Sequence, residues 1–256
     1  MANEQKRLTM AGYAGLPFGE LSQCEAGNVG VVGVPSEVDG GLRSGTSLAP
    51  DALRRMTRQL GSELPADGRD LGNLVLSEDW SGVLTQMVMQ MASNGVIPIV
   101  LGGASHVATS VLQALPDLPV VAAMPIVRHD LLERPANTIW LGLNGGQPAD
   151  VWDQVSQRKM IWCTARQLDE GPADTLEMLE SAILWIDISV IDLGYAAGTA
   201  GLNPGGVKPE ALVSLIGAMP CSWHSIVITG LAPARDTRGM SELAAIETLN
   251  AALRHG

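Results

Sequence analysis

Short apolar segments alternate with amphipathic segments along the whole chain. Seven of the apolar runs are continuous rather than alternating in polarity, which is typical of strands covered on both faces, as in parallel sheets. The predicted strands are Val29–Val34, Ile97–Leu101, Val120–Met124, Thr138–Leu143, Met160–Cys163, Ala182–Ile188 and Ser225–Thr229.

Helices are predicted between these strands. Pro50 and Pro209 stand where a first helical turn tolerates proline. Ser77 and Asp79 are candidate caps for a helix that ends at Asn94-Gly95. The predicted helices are Asp51–Gly61, Trp80–Ser93, Ser105–Leu115, Ala149–Gln157, Ala173–Ser181, Glu210–Gly217 and Met240–Arg254.

This alternation predicts one α/β domain over residues 1–256, a three-layer α/β/α sandwich with a mainly parallel sheet. The sequence shows no internal repeat, low-complexity stretch or linker that would divide it. Ligands of such sheets bind beyond the carboxyl ends of the strands. Candidate chemistry is therefore expected in the loops that follow strands.

Composition narrows the classes of function. The 27 acidic and 16 basic side chains give a net charge of -11, which argues against binding nucleic acid or an anionic membrane. The sequence contains no apolar run long enough to span a membrane, and residues 1–9 lack the apolar core of a signal peptide. Three widely spaced cysteines indicate reduced thiols. We therefore expect a cytoplasmic protein.

Three loops that follow predicted strands carry candidate chemistry. The first, from Gly33 to Arg54, leads into a helix whose free N–H groups could bind an anion, but it lacks the P-loop and dinucleotide-binding motifs. A structural turn is the stronger interpretation of this loop. In the second loop, Gly102 and Gly103 permit a tight turn before His106. This imidazole is either a metal ligand or, more commonly, an exposed or capping histidine.

The third loop begins at Asp187, which ends an apolar strand. An ionised carboxylate in such a place must be paired or bound to a metal ion, although a structural cap on backbone amides explains it equally well. Asp192 follows on a glycine-rich segment, where a structural role is favoured.

Taken in order, these segments resemble the ureohydrolase family, which includes arginase, agmatinase and formimidoylglutamase. Gly33 to Arg54 is similar to the family's GxPxDxGxxxRxGxxxGPxAIR motif, and Gly102-Gly103 to the end of PxxLGG. Trp185 to Gly206 is similar, without a gap, to SFDxDxxDPxxxPGTGTPxxGG, and Ile228 to Ala245 to the closing VEVNPxxDxxxxTAxLAA. The resemblance covers most of the chain and implies the arginase-like fold.

The family uses two Mn²⁺ ions that share a bridging hydroxide, which attacks the guanidinium carbon of the substrate. At the corresponding positions of this chain, Ala104-Ser105 replace an Asp-His pair, Arg128 replaces a histidine, and Ser189 replaces the second aspartate of DxD. Asp187 remains in its expected place.

Other family features are also altered. Asp130 aligns with a ligand carboxylate, whereas His106 lies one position beyond the family's histidine. The family's substrate-binding loop after Asp130 is missing, and Gly230 replaces the glutamate that the family places beside the guanidinium.

The resemblance thus implies a catalytically degenerate member, a pseudoenzyme unable to hydrolyse guanidino substrates with a dinuclear manganese centre. No resident cofactor is expected, and at most one metal ion. By resemblance we also expect a homo-oligomer, or a hetero-oligomer with a paralogue, and a small-molecule ligand. The candidate catalytic residues are Asp187, His106 and Asp130, and the candidate substrate-binding residues are His129, Asp192 and Ser189.

Two alternatives stay open. One is a hydrolase of linear C–N bonds with a remodelled mononuclear or metal-free site, drawn from the same histidines and aspartates. The other is an authentic manganese amidinohydrolase whose ligands lie in a different register.

Overall fold

The computed structural model describes residues 12–37, 44–134, 137–170, 179–236 and 238–254. An 8-stranded sheet forms its centre, and all neighbouring strands in it are parallel. The strands are β1 Val29–Val34, β2 Gly68–Asn73, β3 Ile97–Gly102, β4 Val120–Ala123, β5 Thr138–Leu143, β6 Ile161–Thr164, β7 Ser181–Asp187 and β8 Ser222–Thr229. Their spatial order is β2-β1-β3-β8-β7-β4-β5-β6, so that β8 lies between β3 and β7.

Helices cover both faces of this sheet. In the described segments they are α1 Ala49–Leu60, α2 Trp80–Ser93, α3 Val107–Ala114, α4 His129–Leu132, α5 Ala149–Gln157, α6 Ala165–Glu170, α7 Pro209–Ala218 and α8 Met240–Leu253. Short 3-10 turns occur at Tyr13–Gly15, Leu21–Gln23, Thr46–Leu48, Ile188–Val190 and Pro233–Arg235. The predicted three-layer α/β/α arrangement is confirmed.

The apolar side chains form two buried clusters, one on each face of the sheet. One cluster includes side chains of α1, α6, α7 and α8, and the other includes side chains of α2, α3, α4 and α5. Val29 and Val31 of β1 belong to the first cluster, and Val32 and Val34 to the second. Because successive side chains of a strand point to opposite faces, a continuous apolar run supplies both layers.

Most element predictions are confirmed to within a few residues. Pro50 and Pro209 lie in the first turns of α1 and α7. Asp79 occupies the N-cap position of α2, but its side chain makes no capping hydrogen bond there, so that cap prediction is wrong. Asn94 ends α2, and Gly95 follows with a φ of +71°. The predicted helix Ala173–Ser181 lies outside the described residues up to 178, and Ser181 belongs to β7 instead.

Strand β2 and helices α4 and α6 were not predicted. The β2 sequence is GRDLGN, which has no apolar run because the strand lies at the edge of the sheet and carries a buried charge. Asp70 is fully buried and accepts hydrogen bonds from both Nε (2.7 Å) and Nη2 (2.8 Å) of Arg54. Arg54, the last residue of the first motif, therefore stabilises the attachment of α1 to the sheet edge.

The loop before α1 is organised by another carboxylate. Glu37 accepts hydrogen bonds from the amides of Gly45 and Thr46 and from the hydroxyls of Thr46 and Ser47. The Glu37 carboxylate thus accepts hydrogen bonds from the N–H and O–H groups that an anionic ligand of this loop would use. This agrees with a structural turn. The intervening residues 38–43 lie outside the described part of the chain.

Within the described residues, no helix is both long and apolar enough to cross a lipid bilayer. The three cysteines are free thiols, and Cys163 and Cys221 are buried.

Candidate functional site

The candidate site lies at the carboxyl ends of the four central strands. β3, β8, β7 and β4 are neighbours in the sheet and end at Gly102, Thr229, Asp187 and Ala123. Parallel strands present their carboxyl ends at one edge of a sheet, so the loops that follow them meet there.

Asp187 is the centre of a hydrogen-bonded cluster. One of its carboxylate oxygens accepts from the hydroxyl of Ser105 at 2.7 Å, and the other accepts from both the amide and the hydroxyl of Ser189. Ser105 follows β3, whereas Ser189 lies in the 3-10 turn after β7. Two hydroxyl groups from separate loops therefore satisfy a partly exposed carboxylate.

Gly230 closes one side of this cluster. Its φ of +77° lies in the left-handed region, and a Cβ atom added there would come within 2.2 Å of Oδ1 of Asp187. Only glycine combines that backbone conformation with this close approach. Gly103 makes a similar approach, since a Cβ atom there would lie 1.9 Å from the carbonyl oxygen of Ser36.

The side chain of Arg128 lies over the ring of Trp185, which precedes Asp187 by two residues. The Arg128 guanidinium is 5.0 Å from the centroid of the Trp185 ring and forms a two-pronged ion pair with Asp130, at 3.0 and 2.7 Å. Trp185 is buried and donates its indole N–H to Thr229 at 2.9 Å. Because side chains two positions apart on a strand share a face, Trp185 and Asp187 point to the same side of the sheet.

The two candidate histidines lie at helix starts and are exposed. His106 is the N-cap residue of α3, and its ring lies 5.5 Å from that of Trp80 in α2. His129 is the first residue of α4. Of the other predicted site residues, Ser189 is hydrogen-bonded to Asp187, through both its amide and its hydroxyl.

Asp192, a candidate substrate-binding residue, is hydrogen-bonded within its own glycine-rich loop. Its two carboxylate oxygens accept from the amides of Gly194 at 2.7 Å and Gly205 at 2.5 Å. These hydrogen bonds join the two ends of the loop that follows the 3-10 turn. Asp192 therefore holds the shape of the loop, which borders the cluster where Gly201 approaches Ser189.

Two acidic side chains that sequence reasoning missed, Asp236 and Glu242, lie next to each other. Glu242 is buried in the first turn of α8, and Asp236 accepts from the amides of Ser241 and Arg238. Burial and the neighbouring Asp236 raise the pKa of Glu242 to about 7. Burial alone would raise the pKa of Asp236, but hydrogen bonds from Glu242 and the two amides lower it to about 2. The sequence signal that could have identified this pair is Glu242 itself, a single glutamate in the otherwise apolar first turns of a helix.

This pair makes stability depend on pH. The folded state binds the Glu242 proton more tightly than the unfolded chain does, so its stabilising contribution is complete below about pH 4.5 and is lost as pH rises towards 7. We expect the free energy of unfolding to fall by on the order of 2 kcal/mol between pH 5 and pH 8 through this group. Because the folded state lowers the pKa of Asp236, this group reduces stability as pH falls, but only below its ordinary pKa of 3.8.

Urea denaturation of wild type and Glu242→Gln at both pH values measures this effect. The variant keeps a neutral side chain of the same shape, so its stability should change much less across the same interval. Identical pH slopes for the two proteins would contradict the assignment.

Within the described residues, no three His, Cys, Asp or Glu side chains are grouped so that they could hold a metal ion. The side-chain oxygen atoms hydrogen-bonded to Asp187, which are the atoms that could help it bind a metal ion, belong to the hydroxyls of Ser105 and Ser189. This arrangement leaves a partly exposed carboxylate between two neutral hydroxyls at the carboxyl ends of the strands.

A sequence model of the Arginase family matches residues 27–130 and 119–254. The chain belongs to the arginase family. No protein with a curated description matches it by sequence.

Solved structures of similar fold include a hypothetical agmatinase from Burkholderia thailandensis, with a TM-score of 0.80 and 18% identity over 94% of this arginase-family chain and 88% of the other. Proclavaminate amidino hydrolase from Streptomyces clavuligerus has a TM-score of 0.77 and 18% sequence identity, over 96% of this chain and 98% of the other. Trypanosoma cruzi formiminoglutamase with Mn²⁺ has a TM-score of 0.73 and 17% sequence identity, over 90% of this chain and 92% of the other. At such identities the likeness shows the shared ureohydrolase-type fold alone.

Proposed function

We propose that this arginase-family chain does not hydrolyse guanidino substrates with a dinuclear manganese centre, and that it acts instead as a ligand-binding subunit of an oligomer. The observation that carries the proposal is the Ser105–Asp187–Ser189 cluster. Both oxygens of the carboxylate best placed to bind a metal ion already accept hydroxyl hydrogen bonds.

The donor set does not fit two Mn²⁺ ions. Hard divalent cations need several anionic oxygens or imidazoles, and neutral serine hydroxyls are poor substitutes. Asp130, the other aligned carboxylate, is already paired with Arg128, whose fixed positive charge repels cations.

The small ligand that the Ser105–Asp187–Ser189 cluster favours is a cation. Asp187 carries the negative charge, while the hydroxyls of Ser105 and Ser189 provide further hydrogen-bonding atoms. A guanidinium or primary ammonium group would add charge-assisted hydrogen bonds to this partly exposed carboxylate without a metal ion. The names of the structural relatives, an agmatinase and an amidino hydrolase among them, agree with a ligand of this class.

Metal analysis of the full chain, purified with Mn²⁺ present and then dialysed, tests the proposal. We expect far less than one ion per chain, and Asp187→Ala should give the same result as wild type. Two tightly held ions in wild type that are lost in Asp187→Ala would overturn the proposal in favour of a manganese amidinohydrolase.

A second candidate is a metal-free hydrolase of linear C–N bonds. It is favoured by the 2.7 Å hydrogen bond from the Ser105 hydroxyl to Asp187, because a nucleophile and its base are related in this way. Release of urea or ammonia from guanidino and amide substrates would support it only if Ser105→Ala and Asp187→Ala both abolish that release.

A further inference from the structure

Asparagine is followed directly by glycine at two places in the chain, Asn94-Gly95 and Asn144-Gly145. In such a pair the backbone nitrogen of the glycine can attack the side-chain amide carbon of the asparagine, because glycine has no Cβ atom to obstruct the approach. The attack requires a glycine nitrogen that is free of hydrogen bonds and open space around the pair. The two pairs differ in both respects.

Asn94-Gly95 is fixed by the end of helix α2. The Asn94 amide donates to the carbonyl of Gln90 at 3.1 Å, and the Gly95 amide donates to the carbonyl of Ala92 at 3.0 Å. An added Cβ atom at Gly95 would lie 3.2 Å from the side chain of Ala26. The Gly95 nitrogen is therefore engaged, and its hydrogen bond must break before it can attack.

Asn144-Gly145 lies in the turn between β5 and α5. Gly145 is exposed, and its amide donates no hydrogen bond to any residue that the structure describes. A Cβ atom added at Gly145 would find no other atom within 4 Å, so the space around the pair is open. The attacking nitrogen of this pair is thus available in the folded protein.

The side chain of Asn144 is oriented for the attack. Its Oδ1 atom accepts hydrogen bonds from the amide of Gly146 at 3.2 Å and from Nε2 of Gln147 at 2.9 Å. The first of these closes a turn around Gly145, which keeps the Asn144 side chain curled towards the Gly145 nitrogen. Both donors face the oxygen that becomes negative when the nitrogen adds to Cγ, so they stabilise the developing charge.

We propose that Asn144 is a site of spontaneous modification, at which the Gly145 nitrogen displaces ammonia from the asparagine side chain. The bond from the Gly145 nitrogen to Asn144 Cγ forms and the bond from Cγ to Nδ2 breaks, while the Gly145 amide proton passes through solvent to the departing ammonia. Water then opens the cyclic imide at either carbonyl group, which leaves aspartate or isoaspartate at position 144. This inference does not depend on the proposed function.

The modification reaches the segment that precedes Arg128. The buried Gln147 side chain accepts from the amide of Val127 and donates to the carbonyl of Pro125, both at 2.9 Å, and it also donates to Asn144. A carboxylate at position 144 attracts the Gln147 amide group more strongly than the neutral asparagine does. Isoaspartate, in addition, lengthens the main chain by one methylene group. Either product therefore weakens the hold of Gln147 on Pro125 and Val127.

Peptide mass spectrometry of the full chain, kept at mildly alkaline pH and sampled over weeks, tests the inference. Conversion at Asn144 should be on the order of 10-fold faster than at Asn94, because the Gly95 hydrogen bond must first break. Labelling with an isoaspartyl methyltransferase distinguishes isoaspartate from aspartate. The same chain held in urea is the control, since both pairs are then unfolded and should react at similar rates.

Gly145→Ala is the matched variant. The new Cβ atom meets nothing within 4 Å, and Gly145 lies outside the left-handed region, so the fold should be retained. The added methyl group hinders the attack, so conversion at Asn144 should slow several-fold. The effect on the neighbouring segment is measured by hydrogen exchange, where the Val127 amide should exchange faster in Asn144→Asp than in wild type.

Equal conversion of the two asparagines in the folded chain would overturn the inference. So would an Asn144 that stays intact while the chain in urea reacts, or a Gly145→Ala variant that is modified as fast as wild type. Unchanged exchange of the Val127 amide in Asn144→Asp would overturn the link to the segment before Arg128.

Discussion

Replacing Asp70 with alanine is expected to lower the free energy of unfolding by about 3–5 kcal/mol. Arg54 would keep its guanidinium buried, at 6% side-chain exposure, without the carboxylate that compensates its charge. The amides of Tyr13 and Gly72 would also lose the acceptor that they share on Asp70. Equilibrium denaturation by guanidinium chloride near pH 7 measures the loss.

The control for this prediction is the other aspartate beside Arg54. Asp51 lies 3.4 Å from the same guanidinium, but its side chain is 70% exposed. Solvent screens such pairs, so Asp51→Ala should change stability by about 0.5 kcal/mol or less. A similar loss in both variants would show that burial does not set the strength of this ion pair.

Replacing Gly230 with alanine is expected to cost about 2–4 kcal/mol. The left-handed backbone accounts for about 1–2 kcal/mol, and the 2.2 Å approach of the new methyl group to Asp187 adds the rest. Gly205→Ala is the matched control, since Gly205 has a φ of +76° but no atom within 4 Å of an added Cβ. It should show the backbone cost alone.

The contact with Asp187 can be isolated in a double variant. Asp187→Ala removes the atoms that the new methyl group would meet, so Gly230→Ala should cost less in that background than in wild type. Additive losses would mean that the cost at Gly230 comes from the backbone alone. The same geometry predicts that Gly230→Glu, which puts back the family's residue, disrupts the Ser105–Asp187–Ser189 cluster.

The sequence was sufficient to predict most of the sheet. Strands such as Thr138–Leu143 are buried on both faces, so the apolar run and the strand coincide. Strand β2 could not be found in this way, because Asp70 is buried by its ion pair with Arg54 and not by hydrophobicity. The four-residue α4 has too few residues to show a helical period.

The site was only partly predictable. Asp187 stood out because a carboxylate ended an apolar strand, and Ser189 was named beside it. A serine two residues after a pair of glycines carries no signal of its own, so the sequence identifies Ser105 through its place at a family ligand position. Its contact with Asp187 becomes evident only when the loops after β3 and β7 come together. The roles of His106 and His129 stay predictions. Distances between loops are set by the sheet order, which local patterns do not contain.

The position of β8 has a consequence for how the chain is made. β1, β2 and β3 form one half of the sheet, and β4 to β7 form the other; β8, the last strand to be synthesised, joins them. A nascent chain that ends before Ser222 thus holds two half-sheets whose apolar inner edges, β3 and β7, have no strand between them. Such edges favour pairing with other chains. The sheet can become continuous only after Thr229 has left the ribosome. Until then, a chaperone would have most effect by covering the edges of β3 and β7.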